Sequence, residues 1–183
     1  MSILPYFCLS IKTKAVFKGD IMFSKVIISL ILMSLMSTTI ACNDKKVMIG
    51  PKAEYHSASQ ELLHKISKLE SRESISDAAK KVSDLATPLL KDLVAKKPKC
   101  AEIASFIQKK KLEMYDLKPV QLEADYHEGA VLPTFPDECH DLKELIVHPA
   151  TVVSLVKYTS DISKVKERMR DEIEEVMMHF EAL

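Results

Sequence analysis

The chain has 183 residues, of which 47% are hydrophobic, so it is long enough for one domain with a core and too apolar to be disordered throughout. Three glycines and 6% aromatic residues, beside abundant helix formers, favour an all-α protein over a sandwich or barrel. The 26 basic and 26 acidic residues fall to 22 and 25 without residues 1–42, which hold four lysines and one aspartate, so the basic surplus typical of nucleic-acid binding is missing.

The N-terminal region has the form of an export signal. Val26–Met36, "VIISLILMSLM", is an 11-residue apolar core that follows Lys25, and the apolar stretch continues to Ala41. A membrane-spanning helix needs about 20 apolar residues. A signal peptide needs a positive start, roughly 7–15 apolar residues and small residues before the cleavage site. We therefore interpret residues 1–41 as a signal peptide, with Met22 as the alternative start to Met1.

The residues around Cys42 resemble the end of a bacterial lipoprotein signal. In that class Leu, a small or aliphatic residue, and Gly or Ala precede a cysteine; here Ile40-Ala41 precede Cys42, and Thr39 replaces the usual Leu. The resemblance covers residues 22–42. It implies a bacterial source and a Cys42 that receives fatty acyl chains and becomes the N-terminus, anchored in the membrane. Ordinary cleavage after Ala41 is the alternative.

The resemblance also implies a location in the cell envelope. The residue after the lipid-bearing cysteine sorts such proteins between membranes, and Asn43 is not the usual inner-membrane retention signal, so the outer membrane, facing the periplasm, is favoured. Export removes Cys8 and leaves three cysteines. If Cys42 is acylated, Cys100 and Cys139 remain as one pair, which an oxidising compartment would join in a disulfide worth about 4 kcal/mol.

The first half of the mature chain predicts a tether and two helices. Residues 42–53 show no helical period and are expected to be a tether, followed by a single helical domain over residues 54–183. Apolar residues recur every three or four positions from Tyr55 to Leu69, which is typical of an amphipathic helix. A Ser-x-x-Asp capping box at Ser74–Asp77 begins the second helix, and Pro88 predicts a kink or a division into two shorter helices.

The middle of the domain is less regular. Pro98 suits the first turn of a third helix, which ends where residues 119–137 begin. That segment contains three prolines and one glycine, and we expect an irregular loop of the kind that is usually functional or mobile. Asp137 is expected to cap a short helix that Pro149 ends, and a further helix that begins at Pro149 is one interpretation of the residues after it. The β-branched residues within 144–153 leave a short strand as an alternative.

The last segment has the clearest helical pattern. Thr159-Ser160-Asp161 resembles a cap, and apolar residues then run from Ile162 to Leu183 at alternating spacings of three and four, one seam of about three heptads. The expected fold is therefore an all-α bundle of four to five helices, with one irregular proline-rich loop and a disulfide between two of its segments.

One segment gathers side chains that bind metal ions. Imidazole and carboxylate groups together suit Zn²⁺ and similar ions, and His140 and Glu144, four residues apart, share one face of a helix. His127 and His148 are the further candidate ligands. The spacing matches no recognised metal motif, because His-Glu-x-x-His is absent, and a hydrated loop with hydrogen-bonded histidines is the alternative.

Other motifs indicate no chemistry. Met177-Met178-His179 suggests copper or haem, but Val176 and Phe180 occupy the core positions, so the methionines are expected to fill the core. No Cys-x-x-Cys, Gly-x-Ser-x-Gly, phosphate loop or dinucleotide fingerprint occurs. We therefore predict no catalytic residue, no enzyme activity and no cofactor.

Two functional hypotheses follow from the sequence. The first is a lipid-anchored, non-catalytic module that binds another protein of the envelope. The alternative is a periplasmic module that binds a metal or small ligand through the His127–His148 region. A third hypothesis, an enzyme of unrecognised type, comes with no residue roles.

Overall fold

The computed structural model describes residues 48–183, so the predictions for residues 1–41 and for Cys42 concern residues outside this range. Within it, 82% of residues are helical and no strand occurs, which confirms the all-α class. The short strand offered as an alternative within residues 144–153 is therefore wrong. None of the helices between residues 48 and 183 combines the length and apolarity needed to cross a membrane.

Six helices form the described part of the chain, one more than the four to five predicted. They are α1 Pro51–Lys68, α2 Arg72–Lys96, α3 Ala101–Met114, α4 Pro119–Leu122, α5 His140–Tyr158 and α6 Lys166–Ala182. Three short 3₁₀ turns and one π-helical turn join them: Pro98–Cys100, Glu123–His127 (π), Asp137–Cys139 and Ile162–Val165. The additional helix is α4, a single turn within the segment predicted as a loop.

The start of α1 lies inside the stretch predicted as a tether. Pro51 occupies the first turn, where the missing N–H of proline has no intrahelical partner to lose. Gly50 precedes it with φ of 78°, a left-handed conformation that glycine adopts without steric cost. Residues 51–53 of the predicted tether are therefore helical, four residues before the predicted start at Tyr55.

The structure corrects two details of α2. Its N-cap is Ser71, whose side-chain oxygen accepts a hydrogen bond from the backbone N–H of Ser74 at 3.2 Å. The capping box predicted at Ser74–Asp77 therefore lies three residues too late. Ser71 and Ser74 are equally suitable as N-caps, so the sequence does not distinguish them. The helix is 25 residues long and is not interrupted at Pro88, so the division into two shorter helices is wrong.

The central helix α5 carries the largest correction. It runs for 19 residues through Pro149, where the sequence predicts an end, and every residue from Leu142 to Val156 is buried. Pro149 has no N–H to donate to the carbonyl of Leu145 one turn earlier. The hydroxyl of Tyr55, on α1, donates to that carbonyl at 2.8 Å instead. Tertiary packing thus satisfies the acceptor that the proline leaves free.

The segment 119–137 is only partly irregular. Its first proline, Pro119, lies in the first turn of α4, and the π-helical turn Glu123–His127 follows directly. The predicted loop is therefore wrong over these nine residues and holds for the stretch from Gly129 to Pro136. The π-helical turn ends on His127 and places that side chain beside α5.

The predicted disulfide is present. Cys100 and Cys139 are bonded with Cα atoms 5.5 Å apart, and both are fully buried. The bond joins the turns that precede α3 and α5 and encloses α4 and the irregular stretch. It therefore fixes the start of α5, the helix that carries most of the candidate ligands.

The predicted seam of α6 is confirmed. Met169, Ile173, Val176 and Phe180 are buried. This face packs against α5 and α1 of the same chain. The cap predicted before it is also present, since the carboxylate of Asp161 accepts from the backbone N–H of Ser163 at 3.0 Å.

Candidate metal centre

Three elements bring one cluster of side chains together. His140, Glu144 and His148 recur every four residues and so form one stripe along α5. The π-helical turn places His127 against this stripe, and α6 contributes Glu172 from the other side. We refer to His127, Glu144 and His148 as the His–Glu triad.

The triad has the dimensions of a metal site. Oε2 of Glu144 lies 3.4 Å from Nδ1 of His127 and 3.7 Å from Nε2 of His148. One ligand atom from each residue can be chosen so that all three lie within 4.8 Å of one another. Zinc bonds of about 2.0–2.1 Å place neighbouring tetrahedral ligands roughly 3.4 Å apart. The triad therefore matches an ion of this size with small adjustments.

Two atoms of the triad are buried without a hydrogen-bond partner. Within residues 48–183, neither Oε2 of Glu144 nor Nε2 of His148 has one. The other nitrogen of His148, Nδ1, lies 2.9 Å from Oε2 of Glu172. We assign the imidazole proton to Nδ1, which donates a hydrogen bond to this carboxylate, so Nε2 carries a lone pair. A lone pair of His148 thus faces a carboxylate oxygen, and a cation between the two atoms would satisfy both.

Glu172 lies on the far side of both imidazoles of the triad. Its Oε2 accepts from His148 and lies 3.7 Å from Nε2 of His127. Arg168, one turn earlier on α6, lies 3.6 Å from the other oxygen of Glu172. Histidines that bind metals almost always donate their second N–H to a carboxylate, a carbonyl or water, which sets the tautomer and ring orientation. Glu172 occupies that position for His148.

A buried lysine ties the π-helical turn to α5. The ammonium of Lys143 donates to the backbone carbonyls of Tyr126 and His127, at 3.1 and 3.3 Å, and to the carboxylate of Glu144. Because a buried carboxylate without a partner is strongly unfavourable, this ammonium compensates the charge of Glu144. It also holds two members of the triad in register.

The electrostatics keep His127 available as a ligand. Burial lowers the pKa of His127, and the nearby Glu144 carboxylate opposes that shift only in part. The neutral imidazole is the form that binds a metal. A lowered pKa therefore maintains this form to lower pH than an exposed histidine allows.

The structure brings ligand atoms of three of the four predicted ligands within 4.8 Å of one another and places the fourth, His140, at the edge of this group. His140 lies beside the triad, with Nε2 3.1 Å from Oε1 of Glu144, but its side chain is 49% exposed. Lys143 and Glu172 were not among the predicted ligands. Because Glu172 directly precedes the seam residue Ile173, its position beside the core could be predicted from the helical pattern. No sequence pattern indicates that Lys143 is buried.

The methionine–histidine motif Met177-Met178-His179 lies near the C-terminal end of α6. Met178 is exposed, so the expectation that it fills the core is wrong, whereas Met177 packs partly against the core. His179 lies 2.8 Å from a carboxylate oxygen of Asp141, and its ring stacks on that of His148 at 5.4 Å between centroids. His179 therefore belongs to the surroundings of the triad.

Comparisons with known proteins give no match: no protein-family model fits this sequence, and no curated protein or solved structure is similar to it. The geometry of the His–Glu triad is therefore the basis for proposing a function.

Proposed function

We propose that this protein binds a divalent transition-metal ion through Nδ1 of His127, Oε2 of Glu144 and Nε2 of His148. The observation that supports this most strongly is the pair of buried acceptor atoms on Glu144 and His148, which face each other without a partner in residues 48–183. Leaving one buried polar group unsatisfied costs about 1–3 kcal/mol. Two such groups at one point are accounted for by an ion that both coordinate.

The ligand types narrow the choice of ion. Two imidazoles and one carboxylate suit zinc, copper or nickel, whereas magnesium and calcium prefer oxygen ligands alone. Zinc is the ion we propose first, because its tetrahedral geometry accepts three protein ligands and keeps a fourth position for water or another molecule. Calorimetric titrations with Zn²⁺, Cu²⁺ and Mg²⁺ in parallel test this order, and we expect Mg²⁺ to be the weakest.

The decisive experiment compares ligand variants with a matched surface variant. The full chain, purified in detergent and stripped with a chelator, is titrated with Zn²⁺, and we expect one tightly bound ion per chain. Glu144→Gln and His148→Gln should each weaken binding by more than about 100-fold, beyond the 10–100-fold typical of residues that only support ligands. His64→Gln, on the exposed side of α1, should leave the affinity unchanged.

Far-UV circular dichroism of each variant shows whether the helices are retained. Zinc affinity that is equal in the wild type and in folded Glu144→Gln and His148→Gln would exclude the triad as the binding site. Affinity lost equally in His64→Gln would point to surface histidines instead.

The envelope-interaction hypothesis stays a second proposal. A groove of about 710 Å³ lies between α2 and α3, and half of the residues that line it are apolar, among them Leu90, Val94 and Ala104. We expect a photo-crosslinker at Thr87, in this groove, to trap an envelope protein in cells, and one at the exposed Glu167 of α6 to trap none. The same products from both positions would count against a partner in the groove.

A further inference from the structure

Four imidazoles form a row that leads from the surface to the triad. Ring centroids are 5.9 Å apart between His140 and His179, 5.4 Å between His179 and His148, and 4.7 Å between His148 and His127. Side-chain exposure falls from 49% at His140 to 28% at His179 and 3% at His148, and is 15% at His127. The row thus joins solvent to a buried cluster through side chains of a single chemical type.

The spacing at the outer end of the row suits an ion. Because zinc–nitrogen bonds are about 2.0–2.1 Å, two imidazoles that share an ion have ring centres roughly 5–6 Å apart. His140 and His179, 5.9 Å apart with ring planes inclined by 63°, fall within that range, whereas the rings of His179 and His148 are stacked and do not hold an ion between them. His140 and His179 could therefore hold an ion together before it moves on to the triad.

Carboxylates accompany the row. Asp141 lies 2.8 Å from Nδ1 of His179, and Oε1 of Glu144 lies 3.1 Å from Nε2 of His140. A cation that moves inward thus has an acidic group beside it at both outer positions. His140 also lines a cleft of about 400 Å³ with His127 and the irregular stretch after Gly129, so solvent reaches the outer end of the row.

We infer that His140 and His179 form an access path, binding the metal ion transiently and passing it to the His–Glu triad. The inference rests on the proposed metal-binding function. Glu144 and His148 have side chains only 3% exposed, so an ion reaches them past the side chains that surround them. A functional metal site requires a route in. His140 and His179 supply ligand atoms on this route without belonging to the final set.

This role has a kinetic signature that separates it from a resident ligand. A transient ligand lowers the barrier between solvent and site, so its loss slows association and dissociation by the same factor and leaves the equilibrium affinity unchanged. The loss of a resident ligand, or of a residue that only orients one, instead speeds dissociation and weakens affinity.

Stopped-flow exchange of Zn²⁺ with a coloured chelator measures both rates on the chelator-stripped full chain. We expect the double variant His140→Gln/His179→Gln to associate and dissociate at least about tenfold more slowly, the low end of the acceleration that a charged approach provides. Glutamine at position 140 retains a donor for Glu144. The affinity of the double variant, measured by calorimetry, should match that of the wild type.

His64→Gln is the control and should change neither rate, because His64 lies on α1, away from the row. Wild-type rates in the double variant would overturn the access path while leaving the triad intact. Faster dissociation with weaker affinity would also overturn it and would make His140 or His179 a resident ligand. A wild-type chain that binds no zinc would overturn the proposed function and this inference together.

Discussion

Lys143 shows how one side chain can organise a site that it does not complete. Its side chain is 2% exposed, and all three hydrogen bonds that its ammonium donates are to atoms of the π-helical turn or of Glu144. Desolvating an ammonium costs several kcal/mol, so the residue is tolerated only because these acceptors compensate it. The same contacts limit where His127 can lie relative to α5.

Replacing Lys143 by methionine keeps an unbranched side chain of similar length and removes the charge. We expect Lys143→Met to lower the free energy of unfolding by about 3–5 kcal/mol, because it leaves the buried Glu144 carboxylate uncompensated. Urea unfolding of the metal-free chain measures the change. The control is Lys81→Met, whose partner Glu61 is exposed and whose loss should cost about 0.2–1 kcal/mol. Equal losses in the two variants would contradict the assigned role of Lys143.

A second residue-scale prediction concerns Tyr115. Its hydroxyl is buried close to that of Ser83, makes no well-formed hydrogen bond within residues 48–183, and has its pKa raised by burial to about 12. The unfolded phenol ionises near pH 10. Between about pH 10 and 12 the unfolded state therefore loses a proton that the folded state retains, so stability falls as pH rises through this range.

Tyr115→Phe removes the contribution of this residue to that dependence. At pH 7 we expect the free energy of unfolding to rise by about 1 kcal/mol, because the buried hydroxyl of Tyr115 is removed. The advantage of the variant over the wild type should grow between about pH 10 and 12. Urea unfolding at pH 7, 10 and 11 measures it, and comparing the two proteins at each pH removes the shared effect of lysine titration. A constant difference across this range would contradict the prediction.

At the scale of elements, α5 depends on a partner helix for its continuity. Pro149 leaves the carbonyl of Leu145 without its usual donor, and the Tyr55 hydroxyl of α1 supplies the missing hydrogen bond. The continuity of α5 matters for the site because Glu144 precedes the proline by five residues and His148 by one. A helix that ended at Pro149 would lack the buried second half that packs against α2 and α3.

The contact between Tyr55 and Pro149 predicts a coupling. Tyr55→Phe should lower the free energy of unfolding by about 1–3 kcal/mol, because the Leu145 carbonyl is left buried without a donor. In a Pro149→Ala background the new backbone N–H can donate to this carbonyl, so the same change should cost less. A double-mutant cycle from urea unfolding measures the coupling energy. Additive effects of the two changes would contradict this account of the proline.

At the scale of the whole molecule, the disulfide and the export signal belong to one prediction. The bond between Cys100 and Cys139 is the pairing expected of a chain that matures in an oxidising compartment. Lipidation of Cys42, which lies outside the described residues, stays a prediction. The disulfide and the lipidation each change the mass of the native protein.

Intact mass spectrometry of the protein from the membrane fraction measures these changes together. We expect a chain that begins at Cys42, carries acyl chains, and is lighter by two hydrogen atoms than the fully reduced form. Cys42→Ala should lose the acyl mass while the two-hydrogen difference persists. A native chain that retains residues 1–41 and gains mass from no lipid would contradict both cleavage and anchoring.

Periodicity in the sequence predicted the helices that have a solvent-exposed face. In α1 and α6 apolar residues alternate with polar ones at helical spacing, because only one side of each helix meets the core. α5 is buried on all sides from Leu142 to Val156, so its apolar residues show no helical period, and its β-branched content suggested a strand. The same burial explains why Pro149 was taken for an end.

The sequence by itself determined the all-α class, the Cys100–Cys139 pair and the segment that holds the candidate ligands, because composition, cysteine parity and residue type do not depend on which residues meet in space. Only the tertiary structure decided that His127 joins Glu144 and His148 while His140 stays outside, and that Lys143 and Glu172 support them. These residues come from the π-helical turn and from helices α5 and α6. Their distances are set by packing around the buried α5, which no spacing along the chain encodes.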